Sequence, residues 1–220
     1  MIVVSLTDLH GRTGALPAIA DDLARADLVL LTGDLTHFGG REDAARVLDA
    51  VRACNRAVLA VAGNCDRPEV AAYLAEEGIS LDCRHVVRNG VAFLGVGASL
   101  PCPGRTPSEI TEADFETFLT AADSTLDRTT PAVLVVHQPP HGTAVDRAYV
   151  GGHVGSRSVR LFIEVREPLA CFCGHIHEGR GIDAIGRTTV INPGPLSRGG
   201  YAWAEIADGT ATVEIRQART

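Results

Sequence analysis

Five short polar clusters hold the side chains of this sequence best suited to chemistry: Asp8-Leu9-His10, Gly33-Asp34, Gly63-Asn64, His137 and Gly174-His175-Ile176-His177. Carboxylate, imidazole and amide groups suit divalent first-row metals such as Mn, Fe or Zn. Asp8 and His10 are two residues apart, as are His175 and His177, so in an extended segment each pair would point to one side. One carboxylate can bridge two ions, and two ions ~4 Å apart can clamp the attacking and leaving oxygens of an in-line phosphoryl displacement. Each cluster alone says little, because Gly-Asp and Gly-Asn most often mark turns and an isolated His is most often a satisfied polar residue. Their order along the chain is the informative feature.

The elements that must position these clusters read as alternating strands and helices. Apolar runs cover residues 2–6, 28–31, 58–61, 132–136 and 169–173, and one cluster follows each. In α/β sheets, ligands bind beyond the carboxyl ends of the strands, so the five clusters are expected to converge. Helical spacing appears in Leu16, Ile19, Ala20 and Leu23, with Pro17 near the start, and in Ala44, Val47, Leu48 and Val51. A shorter helix is expected around 70–74. Phe115, Phe118, Leu119 and Ala122 repeat the spacing behind a capping pair, Thr111 and Asp114, and Val159, Phe162 and Ile163 mark a last helix. The final third turns to strands over 188–191, 201–206 and 211–215. Asn89-Gly90 and Asp208-Gly209 are hairpin signals. No internal repeat, low-complexity tract or linker interrupts the 220 residues, a length that suits one α/β domain.

In this order the clusters resemble the calcineurin-like metallophosphoesterases, whose pattern runs D-x-H, G-D, G-N-H-D/E, an isolated His and G-H-x-H. Here it stands as Asp8-x-His10, Gly33-Asp34, Gly63-Asn64-Cys65-Asp66, His137 and Gly174-His175-x-His177, spanning residues 8 to 177. The stretches His137-Gln138-Pro139-Pro140, Gly152-His153-Val154-Gly155-Ser156 and Ile191-Asn192-Pro193-Gly194-Pro195 are similar to small phosphoesterases related to the Icc protein. The resemblance implies one domain over residues 1–220 with an α/β four-layer fold, two packed β-sheets flanked by helices. It also implies two divalent metal ions per chain, drawn from Mn, Fe, Zn or Ni, with Mn favoured. Asp8, His10, Asp34 and His177 would hold one ion, and Asp34, Asn64, His137 and His175 the other, with Asp34 bridging. A hydroxide between the ions would attack phosphorus in line. Where many relatives carry a His after Gly-Asn, this chain has Cys65, a poor substitute for imidazolium, which favours phosphodiesters over monoesters.

Other residues near the clusters have two readings each. Arg12 and Arg67 follow metal motifs closely and are candidate phosphate contacts, as is Asn64; the alternative for either Arg is a solvated surface side chain. With Cys65 in place of His, His153 between glycines is the first candidate for the leaving-group acid and His141 the second, with water as the plainer alternative. His37 lies near a motif; His85 reads as structural. Ser156 reads as a helix N-cap, with a phosphate or substrate contact as the sharper alternative. Cys65 reads as a passive replacement, against a further metal-site residue or a redox thiol, and Cys171 and Cys173 as small packing residues rather than a zinc pair, since no partner Cys pair is in range. Tyr201 and Trp203 read as core or edge packing. The loop over 101–107 is a candidate edge of the active site, with a surface excursion between elements as the plainer reading.

Hydrophobic residues make up 45% and charged residues 21%, as in ordinary soluble domains. The formal net charge of -7 argues against a broad nucleic-acid surface. No run is apolar for long enough to span a membrane, and residues 1–6 read as a first strand, not a signal peptide. Six cysteines without a dense framework point to free thiols in the cytoplasm. The expected function is metal-dependent hydrolysis of a small phosphate ester, with nucleotides among the candidate substrates and a homo-oligomer left open. The rival is a metal-retaining scaffold that binds a partner without catalysis.

Overall fold

The computed structural model describes residues 1–149 and 151–218. Its central strands are short apolar runs buried along nearly their whole length, as strands sandwiched between two layers must be. β1 (Ile2–Leu6), β2 (Leu28–Thr32) and β3 (Val58–Val61) pair in parallel. A second sheet carries β4 (Arg84–Arg88), β5 (Val91–Val96), β6 (Ala132–Val136), β7 (Ala170–Phe172), β8 (Gly181–Ile185) and β9 (Thr188–Asn192). The chain then returns to the first sheet with β10 (Gly200–Ala207) and β11 (Thr210–Gln217). The sheet orders are β11-β10-β1-β2-β3 and β4-β5-β6-β7-β9-β8.

Alternation along each strand divides the core into three apolar layers. Val29 and Leu31 of β2 face α1 (Ala20–Arg25), α2 (Arg41–Arg52) and α3 (Pro68–Glu76), where they join Leu23, Val47, Leu48 and Leu74. Leu28 and Leu30 point the other way, toward Phe93, Val135 and Phe172 of the second sheet. Leu94, Leu134 and Val136 turn outward to Phe115 and Leu119 of α4 (Glu112–Asp123) and Ile163 of α5 (Arg157–Arg166). The result is helix, sheet, sheet, helix, the expected four layers.

Local signals explain the element ends. Asp114 N–H donates to Thr111 Oγ1 at 3.2 Å while Thr111 N–H donates to Asp114 Oδ2 at 2.8 Å, a capping box at α4. Ser156 Oγ accepts from Val159 N–H at 3.1 Å, so the N-cap of α5 is as read. Asn89 and Gly90 (φ 49° and 76°) and Asp208 and Gly209 (φ 50° and 70°) make the two tight hairpins. One helix differs from expectation. Residues 16–19 form a 3-10 turn, and α1 begins only at Ala20, because Ile19 (φ -120°, ψ 12°) leaves the helical region. β8 was not anticipated: as an edge strand with Ile182 and Asp183 alternating between its ends, it lacks a buried apolar run. Tyr201 and Trp203 are buried on the helix side of the first sheet, and His85 is tied by Nδ1 to the Ala122 carbonyl at 2.8 Å.

Candidate active site

The polar clusters leave the carboxyl ends of β1, β2, β3, β6 and β7 and meet on one edge of the two sheets. Backbone hydrogen bonds stitch them together: Asp8 N–H to Gly33 O at 3.1 Å, His10 N–H to Asp34 O at 2.9 Å, and Gly174 N–H to His137 O at 3.1 Å. Gly33 has φ 90°, and a Cβ there would run into Cγ of the His137 ring at 2.5 Å. A Cβ on Gly63 would strike the Asp34 backbone and carboxylate. Glycine at both places lets the loops close on each other.

Asp8, His10, Asp34 and His175 all adopt left-handed backbone, with φ of 53°, 49°, 50° and 66°. This corrects the expectation of extended segments aiming Asp8 with His10 and His175 with His177. The loops turn sharply instead, and convergence comes from the turns. Each such residue costs roughly 1–2 kcal/mol, held in place by surrounding hydrogen bonds.

The side chains form two linked groups. In the first, His177 Nε2 lies 3.2 Å from Asp8 Oδ1, and His10 Nε2 lies 3.3 Å from His177 Nε2. In the second, His137 Nε2 lies 3.0 Å from Asn64 Oδ1 and 3.4 Å from Asp34 Oδ1. Asp34 joins them: its Oδ2 stands 3.7 Å from His10 Nε2 while Oδ1 faces His137. The His137 and His175 rings lie 5.2 Å apart.

Burial would by itself make both carboxylates harder to ionise. For Asp34 the charge of His137, its hydrogen bond and the His10 ring outweigh that and hold the pKa well below the usual range. Burial would lower His137, but the Asp34 charge and hydrogen bond push it up to about 9. His175, buried beside the His137 charge, falls to about 4. Cys65 is pushed far up by burial and then by Asp34, so it stays a neutral thiol.

Three residues outside the expected ligands hold the loops. Buried Asp66 accepts from Leu35 N–H (3.1 Å), Thr36 N–H (2.7 Å), Thr36 Oγ1 (2.8 Å) and Gly63 N–H (2.8 Å), which locks the Asp34 loop to the Asn64 loop. Thr7 Oγ1 donates to Asp8 Oδ2 at 2.8 Å. Asn192 Nδ2 donates to the carbonyls of Gly174 and Ile176 at 3.3 and 2.8 Å, which fixes the His175 loop. Asp66 and Asn192 each stood inside a quoted motif, so a signal for them existed, but not for what they do.

A cavity of about 490 Å³ opens beside the cluster, lined by His10, Asp34, His175 and His177 together with Arg12, His37, Ser197 and Arg198. Arg12 is therefore where a substrate contact would be. Arg67 is exposed at the start of α3 and does not line the cavity. Nor do His141 and His153: His153 Nδ1 lies 2.6 Å from buried Asp146 Oδ1, and the two rings are 5.7 Å apart. Ser197 and Arg198 were missed, since nothing in the sequence joins them to the clusters. Of the two readings of the loop over 101–107, the structure has it edging the site: Cys102 Sγ comes within 3.9 Å of Asn64 Nδ2, and just after the loop Ser108 N–H donates to Asn64 O at 3.1 Å.

The donor set fits divalent metals. Ligand atoms of Asp8, His10 and His177 all lie within 4.8 Å of one another, and so do those of Asp8, Asp34 and His137 and those of His10, Asp34 and Cys65. Carboxylate oxygens and imidazole lone pairs crowded this closely repel one another unless a cation or protons lie between them. His10 Nδ1 is buried with no hydrogen-bond partner among the described residues, while its Nε2 is the atom turned to Asp8, Asp34 and His177.

Comparison with known proteins agrees. Residues 1–217 match the model of the calcineurin-like phosphoesterase superfamily domain. The chain is 38% identical over 205 residues to the uncharacterized protein MJ1162 of Methanocaldococcus jannaschii, covering 90% of this chain and 89% of that one. In fold it is similar to TT1561 of Thermus thermophilus, with a TM-score of 0.77, 20% identity and 99% of each chain covered. It is also similar to the purple acid phosphatase PPD1 of yellow lupin, with a TM-score of 0.64 and 14% identity, over 99% of this chain and 51% of that one. With the ordered clusters brought to one sheet edge and the whole described fold in agreement, the chain belongs to the calcineurin-like phosphoesterase superfamily.

Proposed function

We propose that this protein is a dinuclear metal-dependent phosphodiesterase acting on a small phosphate ester. The observation that carries the reading is the Asp34 carboxylate, whose two oxygens face different histidines, His10 on one side and His137 on the other. That is the placement a bridging ligand needs. Asp8, His10, Asp34 and His177 would hold one ion, and Asp34, Asn64, His137 and His175 the other, with Mn favoured. Bound there, divalent ions supply Lewis acidity and acidified water near neutral pH.

The chain's own residues do the rest. The left-handed turns at Asp8, His10, Asp34 and His175 preset the ligands. Arg12, at the cavity, is read as binding a phosphate oxygen, and Asn64 as a ligand that also touches substrate. Arg67 is left as a surface residue by its exposure. Cys65, kept neutral by burial and Asp34, donates no proton readily, so an ester with a stable leaving group is preferred and solvent protonates the departing oxygen. His153 and His141 support the loop around Asp146. Six unpaired cysteines suit a reducing compartment such as the cytoplasm, and no described helix is long and apolar enough to cross a membrane.

Purified protein loaded with Mn and assayed on bis(4-nitrophenyl) phosphate tests the reading. Turnover that disappears on chelation and returns with metal is expected. Two ions bound without turnover on any phosphate ester would favour the scaffold instead.

A further inference from the structure

Phe38 breaks two rules at once. It is a large apolar ring left 43% exposed, and its backbone sits at φ 58°, a region that bulky side chains rarely adopt. The conformation is imposed by neighbours. Phe38 N–H donates to Cys65 O at 2.9 Å, Arg67 N–H donates to Gly39 O at 3.2 Å, and Gly39 N–H donates to Thr36 Oγ1 at 3.2 Å. The segment is thus pinned to the loop that carries Asn64, on the wall of the cavity.

The rings beside it form a row that leads out of the site. His10 meets His37 edge-on at 5.5 Å between centroids, and His37 meets Phe38 at 4.5 Å with a 41° tilt. His37 lines the cavity. Glycine would fit φ 58° without strain and would bury no less core, since Phe38 belongs to none of the apolar clusters. Backbone strain of this kind persists where the surroundings over-determine it, and it clusters at active sites and ligand clamps.

We propose that the His37–Phe38 pair is a stacking platform for a planar aromatic group carried by the phosphate ester, such as a nucleobase. This rests on the phosphoester reading above and narrows it to esters that carry a flat ring able to reach past His37 to Phe38. Stacking of a base on an aromatic side chain is sequence-tolerant and strong enough to select such substrates.

The test uses the full chain loaded with Mn and two probes, adenosine 5′-monophosphate and inorganic phosphate, with affinities read by calorimetry. Phe38→Leu keeps an apolar side chain and removes the ring. It is expected to weaken adenosine 5′-monophosphate by about tenfold, within the range for loss of one stacked base, and to leave inorganic phosphate unchanged. Equal effects on both probes, or none on either, would overturn the platform while the phosphoester reading stands. If the wild type turns over bis(4-nitrophenyl) phosphate but does not bind adenosine 5′-monophosphate, the platform is overturned while the phosphoester reading stands; if it neither binds a probe nor turns over that diester, the phosphoester reading fails and the platform goes with it. Phe38→Gly gives a second readout. Relief of the left-handed strain should raise Tm, by about 2–4 °C for a chain of this size, while the nucleotide preference is lost. A fall in Tm would mean that Phe38 is packed for stability, and that also overturns the proposal.

Discussion

His137 faces Asp34 Oδ1 with Nε2 at 3.4 Å while its Nδ1 lies 2.9 Å from the Thr32 carbonyl. A carbonyl only accepts, so Nδ1 carries a proton and Nε2 is the atom free to bind a metal. Without metal, the Asp34 charge outweighs burial and lifts the ring to about 9, so it holds both protons at neutral pH.

The first prediction follows. The folded pKa of His137 lies above the ordinary 6.5, so in metal-free protein its stabilising contribution is complete below about pH 6.5 and is lost as pH rises toward 9. The size is on the order of 3 kcal/mol. Metal needs Nε2 deprotonated, so metal affinity should rise over the same interval, with a proton released. Calorimetry in buffers of different ionisation enthalpy reads that proton. His177, raised by its hydrogen bond to Asp8, contributes to the release as well, so His137→Gln should reduce it without abolishing it; an undiminished release in the variant would show that His137 is not among the groups that titrate.

The second prediction concerns the bridge. Asp34 faces both histidine groups, whereas Asn64 contacts only His137 among them. Asp34→Asn should lose more metal than Asn64→Ala by elemental analysis. Two ions retained in Asp34→Asn would contradict the assignment.

The third prediction separates scaffold from ligand. Burial, then the Asp34 charge, raises Asp66 to about 6, so it is still a carboxylate at neutral pH, with four donors on its two oxygens. Asp66→Asn replaces one oxygen with a donor facing donors. A loss of roughly 2–4 kcal/mol is expected, from unpaired buried amides. Denaturant unfolding measures it, and a neutral result would show that the two loops are tied by other means.

What was legible in the sequence was what residue type and order can encode. Asp8, His10, Asp34, Asn64, His137, His175 and His177 each followed a buried strand; parallel pairing aligns such strand ends within each sheet, and the apolar layer between the two sheets brings the two sets together. What was not legible depends on contacts between distant segments. The left-handed backbone of Asp8 and His10 is held by their hydrogen bonds to Gly33 and Asp34, and by that of Gly11 to Leu35, all distant in sequence. Arg198 reaches the cavity because Leu196 N–H binds Thr7 O, a contact no local pattern announces. β8 escaped notice because an edge strand need not bury an apolar run.

The fourth prediction concerns substrate class. With a neutral thiol at Cys65, aryl phosphodiesters should be cleaved with higher kcat/KM than the matching monoesters. Cys65→Ala should change diester turnover by less than about threefold, because an un-ionised thiol neither binds metal strongly nor donates a proton readily. A clear monoester preference in the wild type would sink the specificity claim, and a large loss in Cys65→Ala would make Cys65 a functional ligand.

The last prediction concerns the leaving-group proton. His153 holds Asp146 at 2.6 Å, and Asp146 in turn accepts from the amides of Gly142, Thr143 and Gly155 at 3.0 Å each. A ring committed to that carboxylate, on a loop that does not line the cavity, serves the loop. A general acid has a different kinetic mark. It matters most for a poor leaving group, because an alkoxide must be protonated as it departs, whereas a nitrophenolate leaves unaided. His153→Ala is therefore expected to slow an alkyl and an aryl phosphodiester by the same small factor, together with a lower Tm from the unpaired Asp146. His153→Asn, which restores a donor to Asp146, should recover most of the Tm. A selective loss of about 100-fold on the alkyl ester, with Tm unchanged, would instead make His153 the acid and require the loop to close onto the site during turnover.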